Sequence, residues 1–188
     1  MYNLFFMKRL ILSLSLLLFC AWSCSTSKNA ATDEDIKALK DLVDSKAFTI
    51  ESDWANPQVT SATQQVLNSG ILEPGSNAGG INLIGNSNFL TISGDSIKSY
   101  LPYFGERQMN VGYGGEDNAI QLDGLLENYS VEEKKNNSYL IRFNAKSNSE
   151  SFQVYITLFS NMNSDIRINS NTRFSIGYRG MVEPIQNE

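Results

Sequence analysis

Residues 139–158 read YLIRFNAKSNSESFQVYITL, and their period decides the fold. Tyr139, Ile141 and Phe143 alternate with Leu140, Arg142 and Asn144. After the polar stretch Lys146-Ser147-Asn148-Ser149, Phe152, Val154, Ile156 and Leu158 alternate with Gln153, Tyr155 and Thr157. A period of two sends successive side chains to opposite faces, so each run predicts a strand with one buried face and the stretch between them a turn. Phe48, Ile50 and Trp54 repeat the pattern upstream, and Phe174, Ile176 and Tyr178 repeat it downstream. Weaker strand signals run over Ile81–Ile84, Phe89–Ile92, Ser96–Leu101, Met109–Tyr113, Ala119–Leu122, Tyr129–Glu133 and Ile166–Ile168. Turn-forming residues separate them at Ser93-Gly94-Asp95, at 134–138 and at 161–164. The expectation is a mainly β domain, an antiparallel meander of about 8–10 strands. Such a sheet hides its edges by closing into a barrel or by splitting into a two-sheet sandwich, and the sequence leaves both open.

One amphipathic helix is predicted ahead of the strands, over Thr32–Ala47. Thr32 and Asp35 have the spacing of a capping box, Asp33, Glu34 and Asp35 suit the positive end of the helix dipole, and Ile36, Leu39, Leu42 and Val43 recur at helical spacing. The polar face is mixed and net acidic, so packing against its own domain is favoured over lying on a membrane. Residues 57–80 lack a clean period. Val59–Val66 fits a strand or a short helix, and Pro74, Gly75, Gly79 and Gly80 make 70–80 an exposed loop.

The N-terminus carries a different signal. Met7-Lys8-Arg9 is a short cationic start, Leu10–Ala21 is almost wholly apolar, and Ser23 places a small residue before Cys24. An apolar core of about a dozen residues is too short for a bilayer-spanning helix, which needs roughly 20. The reading is a lipoprotein signal peptide over 1–23, a lipid (palmitate-type) anchor on Cys24, a polar tether over 24–31 and one β-rich domain over 32–188. Cys20 is a poorer acceptor because bulky Phe19 precedes it, and Met7 is as good a start as Met1. Ser25 and the absence of an early acidic cluster in Ser25–Ala31 suit an outer-membrane lipoprotein facing the periplasm.

Composition narrows the chemistry. The chain has 15 basic and 20 acidic residues, no histidine and two cysteines. Loss of Lys8 and Arg9 with the leader takes the net charge from -5 to about -7, which argues against a nucleic-acid partner. Without histidine there is no Ser-His-Asp or Cys-His catalysis and no histidine-ligated metal. With Cys20 removed and Cys24 acylated, neither a disulfide nor thiol catalysis remains. No cofactor is expected.

The most specified stretch is Gly94–Gly105, which runs from a turn through Tyr100-Leu101-Pro102-Tyr103-Phe104-Gly105; Gly112-Tyr113-Gly114-Gly115 follows. Leu101–Gly105, the pair Gly114-Gly115, and Arg173 with Ser175-Ile176-Gly177-Tyr178-Arg179-Gly180 together resemble domain-of-unknown-function family 4251, lipoproteins of Bacteroides-like bacteria. One departure is visible: Glu106 precedes Arg107 where the family pattern has an arginine directly after the glycine. The resemblance implies an envelope lipoprotein and transfers no catalytic residue.

Tyr100, Tyr103, Phe104 and Tyr113, with Arg173, are the ligand-binding candidates. The aromatics suit a stacking platform for a sugar or apolar ligand, or more plainly a plug at one end of the barrel. An inward Arg173 needs a buried carboxylate such as Asp95, as a structural lock or an anion site. The acidic run Gly115-Glu116-Asp117-Asn118 lacks EF-hand spacing and is read as a solvated turn, so no metal site is assigned. The expected function is a membrane-anchored binding or interaction module for a small apolar ligand, a glycan or an envelope protein. The alternative is a glycan hydrolase using paired carboxylates among Glu106, Asp117 and Glu127; no catalytic residue is assigned.

Overall fold

The structure, a computed structural model, describes residues 31–71, 75–77, 79–107, 119–147 and 150–185. The leader, Cys24, the predicted strand Met109–Tyr113 and the acidic run through Asn118 lie outside the described residues.

Helix α1 (Asp33–Ser45) starts where its cap chemistry places it. Thr32 Oγ1 accepts from Asp35 N at 3.2 Å, and the Asp35 carboxylate accepts from Thr32 N at 3.0 Å. It buries Leu39, Leu42 and Val43 and ends short of the expected Ala47. Lys46 adopts a left-handed conformation, φ 48°, and its N–H returns to Val43 O. Ala47 is thereby free to open the first strand.

Ten strands follow among the described residues: β1 (Ala47–Pro57), β2 (Ile81–Asn82), β3 (Phe89–Ser93), β4 (Ser96–Leu101), β5 (Ile120–Leu125), β6 (Glu127–Lys134), β7 (Ser138–Ser147), β8 (Glu150–Leu158), β9 (Asn163–Ser170) and β10 (Ile176–Pro184). All pairings are antiparallel, in the order β5-β4-β3-β1-β10-β9-β8-β7-β6, with β2 beside the far half of β1. The first and last strands pair, Phe48 opposite Pro184. The two strands at the ends of this order, β5 and β6, are separated in sequence by Leu126 alone. One bent stretch thus pairs first with β4 and then with β7, and β5 packs against β7. The sheet therefore curls into a nearly closed barrel, which decides the barrel over the sandwich.

The inward rows are mainly apolar, with the small hydroxyls of Ser52, Ser99, Ser138 and Ser164 buried among them. Phe48, Ile50, Leu90, Ile92, Ile141, Val154, Ile156, Leu158, Ile166 and Tyr178 are fully buried, each aliphatic contributing roughly 1.5–3 kcal/mol. Trp54 departs from the alternation read in the sequence. The register between β1 and β10 shifts between Ser52 and Trp54, so Ser52 faces in, Ala55 and Pro57 continue the buried row, and Trp54 is turned to the half-exposed face. Such a bulge flips the phase of everything after it. Buried Asn88 holds the bulge, its Oδ1 accepting from Ser52 N and its Nδ2 donating to Ser52 O, both at 2.9 Å. Phe174 lies just before β10, not within it. The ambiguous segment at 59–66 resolves as a short helix, α2 (Ser61–Val66), capped by Thr60.

Candidate functional site

Leu101–Gly105 and Arg173–Gly180 meet at one end of the barrel. Phe174 N donates to Glu106 O at 3.0 Å, Arg107 bridges Arg173 in antiparallel fashion, and the buried Tyr178 hydroxyl donates to Pro102 O at 2.9 Å. Tyr103 Oη lies 2.8 Å from Glu106 O and 3.0 Å from Phe174 O, and its proton is shared between them. Burial pushes this phenol up to about 12, against the lowering influence of nearby Arg173, so it remains a donor. Gly105 is glycine for a steric reason, since a Cβ there would sit 2.4 Å from Tyr103 Oη.

Arg173 is nearly buried, and its guanidinium lies 5.0 Å from the Tyr103 ring centroid. Its partner is Glu150, not Asp95: Nε donates to Oε1 at 2.8 Å and to Oε2 at 3.0 Å. Asp95 instead pairs with Lys46 in the open, at 3.2 Å. Glu150 Oε1 also accepts from Ser170 and Thr172 hydroxyls, each at 2.6 Å. Burial works against the carboxylate, but Arg173 and the two hydroxyls outweigh it and hold Glu150 below the usual glutamate range. Tyr103, Arg173 and Glu150 thus form a lock between strand ends, and Phe104 packs half-buried against the core. Cys24 and Tyr113 lie outside the described residues.

Tyr100 stands apart from this lock. It lies on the outer face of β4, half-buried, with Phe89 of β3 directly opposite on one side and Gln121 of β5 on the other. The hairpin turn at Gly94-Asp95 fixes that register, with Gly94 at φ 60°, as a two-residue loop opened by glycine requires. Phe89 and Tyr100 border an open groove of about 730 Å³, with Asn86, Gln121, Lys98 and Asp123 around it. Lys98 and Asp123 sit at 4.0 Å as an exposed pair. Paired aromatic faces ringed by amides and charges offer apolar contact and hydrogen bonding together. Phe89, Gln121 and Glu150 were not anticipated. Counting outward from the Gly94-Asp95 turn pairs Phe89 with Tyr100, so that partner had a readable signal. Glu150 had none, because its approach to Arg173 depends on how β8 and β9 align.

The family model described as Domain of unknown function (DUF4251) matches residues 30–182. The chain belongs to DUF4251. No curated protein matches it. Among solved structures, a DUF4251 family protein from Bacteroides eggerthii DSM 20697 is similar, at 15% identity and a TM-score of 0.53, covering 82% of this chain and 91% of its own. At that identity the likeness speaks for the fold alone. In this DUF4251 chain, two motifs behind the resemblance prove to be contact partners, and much of their chemistry holds the barrel end together.

Proposed function

We propose that this DUF4251 chain is an envelope lipoprotein anchored through Cys24 and facing the periplasm from the outer membrane, and that its barrel is a glycan-binding module. The observation that carries the ligand class is the cross-strand pair Phe89–Tyr100 bordering the open groove. A pyranose has an apolar face and a polar rim. Phe89 and Tyr100 match the first, and Asn86, Gln121, Lys98 and Asp123 match the second. Aromatics directly opposite across antiparallel strands stand about 5 Å apart at Cβ, which makes one continuous platform. Carboxylate-based hydrolysis has less support. Glu106 is engaged by Thr60 through both N and Oγ1, Glu127 pairs with Lys146 at 2.8 Å, and Asp117 lies outside the described residues.

A microarray of bacterial glycans probed with the full-length chain in neutral detergent tests this reading. Tyr100→Ala should lower affinity for any glycan captured by about tenfold, near 1.4 kcal/mol, while lowering the melting temperature by no more than about 4 °C. Failure to capture any glycan, or equal binding by Tyr100→Ala and Phe89→Ala, would overturn it.

A further inference from the structure

The outer face of β1, β10 and β9 carries a second groove, about 460 Å³, lined by Asn56, Gln58, Asp165, Arg167, Gly177 and Arg179 among others. In register across the strands stand Asn56, Gly177, Arg167, Tyr155 and Arg142. Gly177 forms the floor. Neither packing nor backbone geometry demands a glycine there. It has no positive φ, and a Cβ would meet nothing nearer than Ile166 O at 3.5 Å. Gly180, three residues on, is the contrast: its Cβ would fall 1.9 Å from Glu51 O. A glycine inside a strand weakens it, and what position 177 returns is open space between two arginines.

Those arginines are available. Arg167 is exposed and makes no ion pair or side-chain hydrogen bond among the described residues. Arg179 donates Nε to Asn56 Oδ1 at 3.2 Å, which orients its guanidinium and leaves the Nη groups for a ligand. Asp165 lies opposite Arg179 in the register, and no ion pair within 4.0 Å joins it to either arginine. Arg142, further along the row, is already paired with Glu132 at 2.7 Å. In a chain of net charge -5, two guanidinium groups with no ion pair among the described residues, set against the single carboxylate of Asp165, leave a local positive excess over a bare glycine floor.

We infer that the groove over Gly177, between Arg167 and Arg179, binds an oxyanion, a carboxylate or phosphate gripped by guanidinium N–H groups with the Gln58 amide beside it; the Asn56 amide is already engaged, Oδ1 by Arg179 and Nδ2 by Gly79 O at 2.6 Å. Guanidinium groups are suited to oxyanions because their parallel N–H bonds meet two oxygens at once. This site is separate from the Phe89–Tyr100 groove and does not depend on it.

The test is titration calorimetry of the full-length chain in neutral detergent. One arm uses oligogalacturonate, a second uses glucosamine 1-phosphate, and a third uses the uncharged counterparts of both. Binding in the first arm assigns a carboxylate and in the second a phosphate, with affinity falling as salt rises. Arg167→Ala and Arg179→Ala should each weaken the productive arm by about tenfold. Gly177→Val should abolish it, and Gly177→Ala should weaken it while folding as wild type. Lys135→Ala, which removes an exposed cation elsewhere, should leave it unchanged. No binding in either acidic arm overturns the inference, as does equal binding of charged and neutral sugars or wild-type affinity in Gly177→Val.

Discussion

Replacing Glu150 with Gln keeps the shape of the side chain and removes its charge, which isolates what the carboxylate does at the barrel end. Arg173 and Glu150 side chains are 7% and 14% exposed, so the variant leaves a nearly buried guanidinium facing a neutral amide. Breaking a buried pair from one side costs roughly 3–5 kcal/mol. The amide oxygen of Gln still accepts one of the hydroxyls of Ser170 and Thr172, so the lower end applies, about 3 kcal/mol. For a domain of this size that is a fall of about 6–12 °C in melting temperature at pH 7. The pH dependence identifies the cause. Glu150's folded pKa is depressed, so its contribution is complete above its ordinary value of 4.5 and is lost as pH falls through the lower folded value. Circular dichroism melts should therefore show a full gap between wild type and Glu150→Gln at neutral pH and a narrowing gap below about pH 4.5. Glu150→Leu combined with Arg173→Met should recover most of the loss, since no charge is then left buried alone. A gap that is absent at pH 7, or one that stays constant down to about pH 3, would refute the account of the lock as a charge-assisted pair.

Gly180→Ala should destabilise the barrel by at least about 1–3 kcal/mol, since its methyl runs into Glu51 O and the backbone of Ser52 at the β1 bulge, with denaturant melts as the measure. Cys24→Ser should abolish acylation, seen as loss of the lipid mass in intact-protein mass spectrometry, and should move the chain from the membrane to the soluble fraction. Protease treatment of intact cells should spare the anchored domain, and its removal would place it on the outer surface instead.

Much of the fold was legible because period two survives wherever a strand has one buried face. Ile141, Phe143, Val154 and Ile156 are buried as their alternation requires, and Thr32 and Asp35 close the helix as their spacing requires. Trp54 was misplaced because one extra residue at Ser52–Trp54 inverts the phase, and the side chain that holds the bulge, Asn88, comes from a distant loop. Barrel and sandwich were indistinguishable because the choice rests on the β1–β10 pairing and on one bend at Leu126, neither of which has a local period. The candidate site divided for a related reason. Tyr100 and Tyr103 are close in sequence, yet Tyr100 lies on the outer face of β4 while Tyr103 passes beyond the strand and turns inward to Phe174 O. Arg167 falls inside the weak strand signal Ile166–Ile168 and carries no functional signal of its own. Its importance emerges once Gly177 is seen beside it.

The pairing of the first strand with the last sets a limit on how the chain can fold. Local hairpins such as β3–β4 and β7–β8 close short loops and form at little entropic cost, whereas Phe48 meets Pro184 only when almost the whole domain has been gathered. Until β10 arrives, β1 and β9 each present an unpaired ladder and the apolar interior stands open along one side. The barrel is thus an all-or-none object in time as well as in space, and an emerging chain gains its protected core only once its C-terminal strand is free to join.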